Sequence, residues 1–143
     1  MNIHQISVFL ENRTGQLAEI TKLLSDAGID IRALSIAETA DYGLARMIVD
    51  DCHKASQILL QHGDILSMTP VWAVEVPDAP GGLAQVLSVL AEAHVDVEYM
   101  YSLFTHKEGN AYMVMRVSDD PMFLSTLGER KIKLMTKEEL GLK

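Results

Sequence analysis

Two short stretches of this chain set a polar side chain three residues ahead of a glycine, just before an apolar period of helical spacing. They are Asn12-Arg13-Thr14-Gly15-Gln16-Leu17 and Asp78-Ala79-Pro80-Gly81-Gly82-Leu83. The N–H groups that open a helix have no partner within it and carry partial positive charge, so a glycine there lets a carboxylate or phosphate approach the backbone closely. An oxygen on Asn12 or Asp78 can cap the helix or take an ammonium group. Further on, Asp30 and Asp96 open the next extended segment. Strand-helix-strand winding is expected to set each acid beside the end of the first strand, where a zwitterion would find both charges matched. A plainer alternative stays open: caps at Asn12 and Asp78, simple turns at Gly15 and Gly81, solvated strand starts at Asp30 and Asp96.

The two stretches belong to one repeat. An ungapped shift of 66 positions lays Gly15 on Gly81, Asp30 on Asp96, and Gly43-Leu44-Ala45-Arg46-Met47 on Gly109-Asn110-Ala111-Tyr112-Met113. Repetition of that length signals two copies of one compact unit. The expected division is 1–69 and 70–143. Units this small bury only about 60% of their unfolded surface, so each needs a neighbour's support.

Few other residues could do chemistry. His4, His53, His62, His94 and His106 form no ligand spacing with Cys52 or with clustered acids, and no HExxH or CxxC occurs, so no metal site or cofactor is expected. The single cysteine, Cys52, suits a reducing compartment and cannot form an internal disulfide. No nucleophile sits in a recognised catalytic turn. A phosphatase-like cradle would need more than Arg13. The net charge of −8 repels nucleic acid and anionic membranes, and 6% aromatic residues are few for base stacking. No apolar run approaches the roughly 18 residues of a membrane span, and the N-terminus lacks a signal peptide's pattern. A cytoplasmic, non-catalytic protein is expected.

The elements that must position the turns follow from periodicity. Ile6, Val8 and Leu10 alternate with Gln5, Ser7 and Phe9, and Trp72, Val74 and Val76 hold the same phase in the second copy, which predicts first strands with one apolar face. Leu17, Ile20, Leu23, Leu24 and Ala27, echoed by Leu83, Val86, Leu90 and Ala93, predict helices, the first ended by Gly28. Second strands begin near Ile29 and Val95. The phase shift between Ile31 and Leu34 predicts a bulge, whereas Val95, Val97, Tyr99, Tyr101 and Leu103 read as one clean face. Third strands carry Ala45, Met47 and Val49, and Ala111, Met113 and Met115. Asp50-Asp51 and Asp119-Asp120-Pro121 start short helices, and 65–69 and 131–135 are weaker fourth strands. Only Pro70 separates the copies, which predicts a rigid junction, and 137–143 reads as a frayed or edge-covering tail.

Asp78-Ala79-Pro80-Gly81-Gly82-Leu83 followed by Val95-Asp96-Val97, and Glu11-Asn12-Arg13-Thr14-Gly15-Gln16-Leu17 followed by Gly28-Ile29-Asp30-Ile31, resemble the signature of the ACT domain, an amino-acid-sensing module. The chain is similar to small stand-alone proteins made of two such domains. The resemblance implies an α+β fold of two ferredoxin-like (βαββαβ) ACT domains packed side by side, sheets joined edge to edge and helices on one face. It also implies a free amino acid held at the ACT-ACT interface, a homodimer, and a metabolic enzyme or regulator as downstream partner. The ligand contacts it implies are Asn12, Arg13, Thr14, Gly15, Gln16, Leu17 and Asp30 in one copy, and Asp78, Ala79, Pro80, Gly81, Gly82, Leu83 and Asp96 in the other. Thr14 stands where the family has proline, and aspartate at 30 and 96 replaces the commoner asparagine. The second turn, preset by Pro80, is expected to be the better site, with the first as the surface that completes it. A ligand-independent interaction module using exposed sheet edges is the competing reading.

Overall fold

The computed structural model describes residues 2–11, 13–39 and 41–143. Two compact units appear: residues 4–70 with 141–143, and residues 71–140 with 2–3. Each runs strand-helix-strand-strand-helix-strand.

In the first unit, β1 (Ile3–Glu11), α1 (Gln16–Asp26), β2 (Ile31–Glu38), β3 (Tyr42–Val49) and α2 (Cys52–His62) lead into β4 (Leu66–Pro77). β3 lies between β2 and β1, antiparallel to both, and the Phe9 N–H donates to the Ile65 carbonyl at 2.9 Å as the chain enters β4. This is ferredoxin-like winding. Ile6, Val8 and Leu10 of β1, Met47 and Val49 of β3, Ile20 and Leu24 of α1, and Ala55 and Leu59 of α2 form one core, as period-2 strands and 3.6-period helices require. The Asp51 carboxylate caps α2 through the Lys54 N–H at 3.1 Å.

The second unit follows the same plan: β4, α3 (Gly82–Glu92), β5 (Val97–Ser102), β6 (Asn110–Val117) and α4 (Asp120–Glu129). β6 lies between β5 and β4, antiparallel to both. Residues 131–135 make less of a fourth strand than expected, two backbone hydrogen bonds to Ala73 and Glu75 and one bridge at Leu134. Trp72, Val74, Val76, Val86, Leu90, Met115, Phe123 and Leu127 form the core. The Trp72 indole N–H donates to Asp120 Oδ1 at 2.9 Å while its ring lies 5.9 Å from that of Phe123. Asp119 caps α4 through the Met122 N–H at 3.0 Å.

Four expectations are corrected. Gln5 and Ser7, read as the outward phase of β1, are buried, Gln5 Nε2 donating to Ser7 Oγ at 3.0 Å; both faces of the strand are shielded, so polarity did not mark its exposure. The clean face of the second copy's second strand is broken by a register shift between Val97 and Tyr99, 66 positions on from that between Ile31 and Ala33. Beyond it Met100 packs on the core and Tyr101 is buried elsewhere. Leu83 is exposed, although Leu17 packs on its core. Of the two readings of the tail, fraying is excluded: α5 (Lys137–Leu140) is closed by Thr136 and Glu139, each accepting from the other's backbone N–H at 3.2 Å, a capping box.

Candidate functional site

Gly15 and Gly81 precede α1 and α3 with φ of 85° each, a left-handed turn that favours glycine. Among the described residues neither helix has a side-chain cap. The cap that Asp78 could have supplied, the plainer of its two readings, is therefore not made; its N–H donates to the Gly109 carbonyl at 3.0 Å. Asn12 lies outside the described residues. The N–H that opens each helix is taken, Gln16 N–H donating to the Arg13 carbonyl at 3.4 Å and Gly82 N–H to the Ala79 carbonyl at 2.9 Å; the next N–H groups, of Leu17 and Ala18 and of Leu83 and Ala84, have no side-chain cap among the described residues and are left to meet an anion, an interaction of about 0.3–1 kcal/mol at an exposed helix start.

Around the first turn lies a cavity of about 510 Å³ lined by Arg13, Thr14, Gly15, Gln16 and Leu17, with Glu11, Ile36 and Glu38 from the strand ends. Gln16 is only 8% exposed, and its Oε1 is buried with no hydrogen-bond partner among the described residues. An acceptor stranded in this way costs about 1–3 kcal/mol until a donor reaches it. The sequence placed Gln16 in the turn but did not reveal its burial, because a glutamine at the first position of a helix reads as solvated.

The second turn differs. Gln16 corresponds to Gly82, which is buried, and a Cβ there would run into the Pro77 carbonyl oxygen. Asp78, Ala79, Pro80 and Gly81 are exposed. A cavity of about 620 Å³ in this unit is lined by Glu75, Glu92, Asn110, Arg130 and Lys133 among others, with none of residues 78–83 on its wall.

The strand-start acids are not beside the turns of their own units, as the winding was expected to place them. Glu11 pairs with Tyr42 and Ile31 with Val49, while Pro77 pairs with Asn110 and Val97 with Val117. Seven residues of the middle strand separate the two levels, about 23 Å at 3.3 Å per residue. Because β2 is antiparallel to β3, and β3 to β1, β2 starts level with the start of β1. Asp30 is exposed, pairs with Arg32 at 3.1 Å and is tied through its N–H to the Asp50 carboxylate at 2.9 Å. Asp96 is exposed, with its N–H on Ser118 Oγ at 3.0 Å.

A charge relay missed in the sequence borders the first turn. Arg13 contacts Glu19 at 3.1 Å, Glu19 contacts His62 Nε2 at 3.1 Å, and His62 Nδ1 contacts Asp64 at 2.8 Å. The hydrogen bond to Asp64, and then the charges of Asp64 and Glu19, raise the His62 pKa above its ordinary value. The Arg13 guanidinium holds the Glu19 carboxyl below its own. His62 is two residues from Asp64 but distant in sequence from Glu19, and only the packing of α2 beside α1 joins them.

A family model describing an ACT domain pair matches residues 1–141. This chain belongs to the ACT domain pair family. ACT domains are regulatory modules that generally bind amino acids and often form oligomers. The pair is 38% identical to protein BT0572 from Bacteroides thetaiotaomicron over 99% of this chain and 96% of that one, with a TM-score of 0.91. It also shares its fold with the ligand-free regulatory subunit of aspartate kinase from Thermus thermophilus, 14% identical over 88% and 91% of the two chains with a TM-score of 0.65. The corresponding subunit from Thermus flavus gives 14%, 90%, 92% and 0.62. None of the curated proteins searched matches the chain. Among the described residues no group of His, Cys, Asp and Glu could hold a metal ion, and no helix is long and apolar enough to cross a membrane.

Proposed function

We propose that this ACT domain pair is a non-catalytic sensor that binds a free amino acid and passes its occupancy to a metabolic enzyme or regulator. The observation that carries this reading is the uncapped, glycine-opened helix start that recurs in both units of a chain belonging to an amino-acid-binding family. The open N–H groups suit the ligand's carboxylate. Its ammonium has two sources of oxygen: polar atoms at the turn itself, or the strand-start acid of another ACT unit, since the acid of the same unit is at the far end of its sheet. A site of the second kind is an interface between two ACT units, which accords with a homodimer. The likeness to aspartate kinase regulatory subunits supports the sensing role, and a cytoplasmic location suits a free amino acid as signal.

A thermal-shift screen of the twenty amino acids, confirmed by calorimetry, tests the reading. At least one is expected to raise the melting temperature and release or absorb heat on binding. If none does either, sensing gives way to a ligand-independent interaction module.

A further inference from the structure

We propose that the second unit carries a further small-ligand site, apart from the turns, which takes a singly charged organic anion, a carboxylate on an apolar body, with Lys131 as its anchoring cation. The site is the cavity of about 620 Å³ between α3 and the segment that leaves α4, a size that small ligands occupy. None of residues 78–83 lines it. The first unit shows the same place closed. Glu11 pairs with Tyr42 and Pro77 with Asn110, so counterparts stand 66 positions apart in the first strands and 68 apart from the third strands on. Glu19, His62 and Asp64 therefore correspond to Gln85, Arg130 and Ile132. In the first unit His62 joins Glu19 of α1 to Asp64. In the second, Gln85 and Ile132 carry no charges to be joined, and Arg130 contacts Glu92 instead, at 3.2 Å.

Lys131 stands where the first unit has Gly63. Each donates its N–H to the last turn of its helix, Gly63 to the Leu60 carbonyl at 3.0 Å and Lys131 to the Gly128 carbonyl at 3.4 Å, with φ of 96° and 57°. Glycine is favoured in that left-handed position, so the lysine is held against backbone preference and adds a cation to the cavity wall. The other cations of the wall are committed, Arg130 to Glu92 and Lys133 to Glu139 at 2.6 Å, with the charge of Glu75 also favouring the protonated Lys133. Lys131 is in no ion pair among the described residues. Gln85, Ser88 and Asn110 bring neutral N–H and O–H donors to the same cavity, and Val86, Val89 and Ile132 give it apolar wall. A second negative charge on the ligand would meet Glu75 and Glu92 with no cation left for it, and an amine would meet the uncommitted charge with like sign.

Titration of the isotope-labelled full chain with isovalerate, phenylacetate, succinate and isoamylamine, at neutral pH and constant ionic strength and followed by amide chemical shifts, tests this. Both monocarboxylates are expected to saturate one site, with the largest shifts among residues 85–92 and 130–133. Succinate should bind at least fivefold more weakly, and isoamylamine should give no saturable shift. Lys131→Gly restores the residue of the first unit, so it should keep or raise the melting temperature, yet weaken both monocarboxylates at least fivefold. Lys131→Arg should bind within about threefold of wild type. The absence of a saturable shift, shifts confined to the turns at Gly15 and Gly81, succinate bound as tightly as the monocarboxylates, or a folded Lys131→Gly that binds as wild type would each overturn the proposal. Site and selectivity are read on the wild-type chain, so they decide the matter even if neither variant folds. The outcome is separate from sensing: the thermal screen with amino acids can fail while this site stands, and this site can fail while sensing stands.

Discussion

At the scale of single residues, the relay Arg13–Glu19–His62–Asp64 makes the edge of the first turn pH-sensitive. His62 is raised in the folded state, so its contribution to stability is complete below the ordinary histidine value near 6.5 and is lost as pH rises through the raised one. Glu19 is lowered, so its contribution is present above the ordinary glutamate value and fades as pH falls through the depressed one. The relay is therefore complete between about pH 4.5 and 6.5. A proton NMR titration of His62 should give a midpoint above that of a peptide histidine. In Asp64→Asn, which removes the first cause of the shift, the midpoint should fall toward the peptide value; no change would mean that Asp64 does not hold the ring in solution.

Among the elements, the two helix starts are under different constraints although their glycines share one φ. Gly82→Ala would force a Cβ against the Pro77 carbonyl and should cost at least about 1–3 kcal/mol, as overpacking does. Gly43→Ala meets only Leu10 and the Ala37 carbonyl at ordinary contact distances of 3.6 to 3.8 Å, so chemical denaturation should show it to be clearly the milder change. At α4, Asp120 receives the Trp72 indole N–H. Asp120→Ala strands that donor in a residue only 7% exposed, and a loss of about 1–3 kcal/mol in the same measurement is expected.

For the whole molecule, an amino acid present at 100 times its dissociation constant should add about 2.7 kcal/mol to the unfolding free energy, and light scattering should give twice the monomer mass if the pair is a homodimer. The repeat carried most of the fold, because a 66-residue shift reproduces Gly15 at Gly81 and even the register break at Ile31 in that at Val97. Only the first break showed in the residue pattern. In Val95 to Leu103 every odd position is apolar while Asp96, Glu98 and Ser102 fall on the other phase, so the alternation runs on unbroken through the shift. The turns were legible for the same reason that they recur: glycine is favoured where φ is positive. What was not legible depended on contacts between distant segments. The level of Asp30 relative to Gly15 follows from strand directions, the burial of Gln5 and Gln16 from packing, and the closing of the second turn from one carbonyl against one missing side chain.

Trp72 is the chain's one tryptophan, and it lies in the core of the second unit, its ring near Phe123 and its N–H on Asp120. The first unit has no such chromophore. Trp72 is not among the residues lining the cavity at the first turn, so indole emission reports on the core of the second copy of the repeat. A shift in its colour on adding an amino acid would be the optical trace of a signal that had left the pocket.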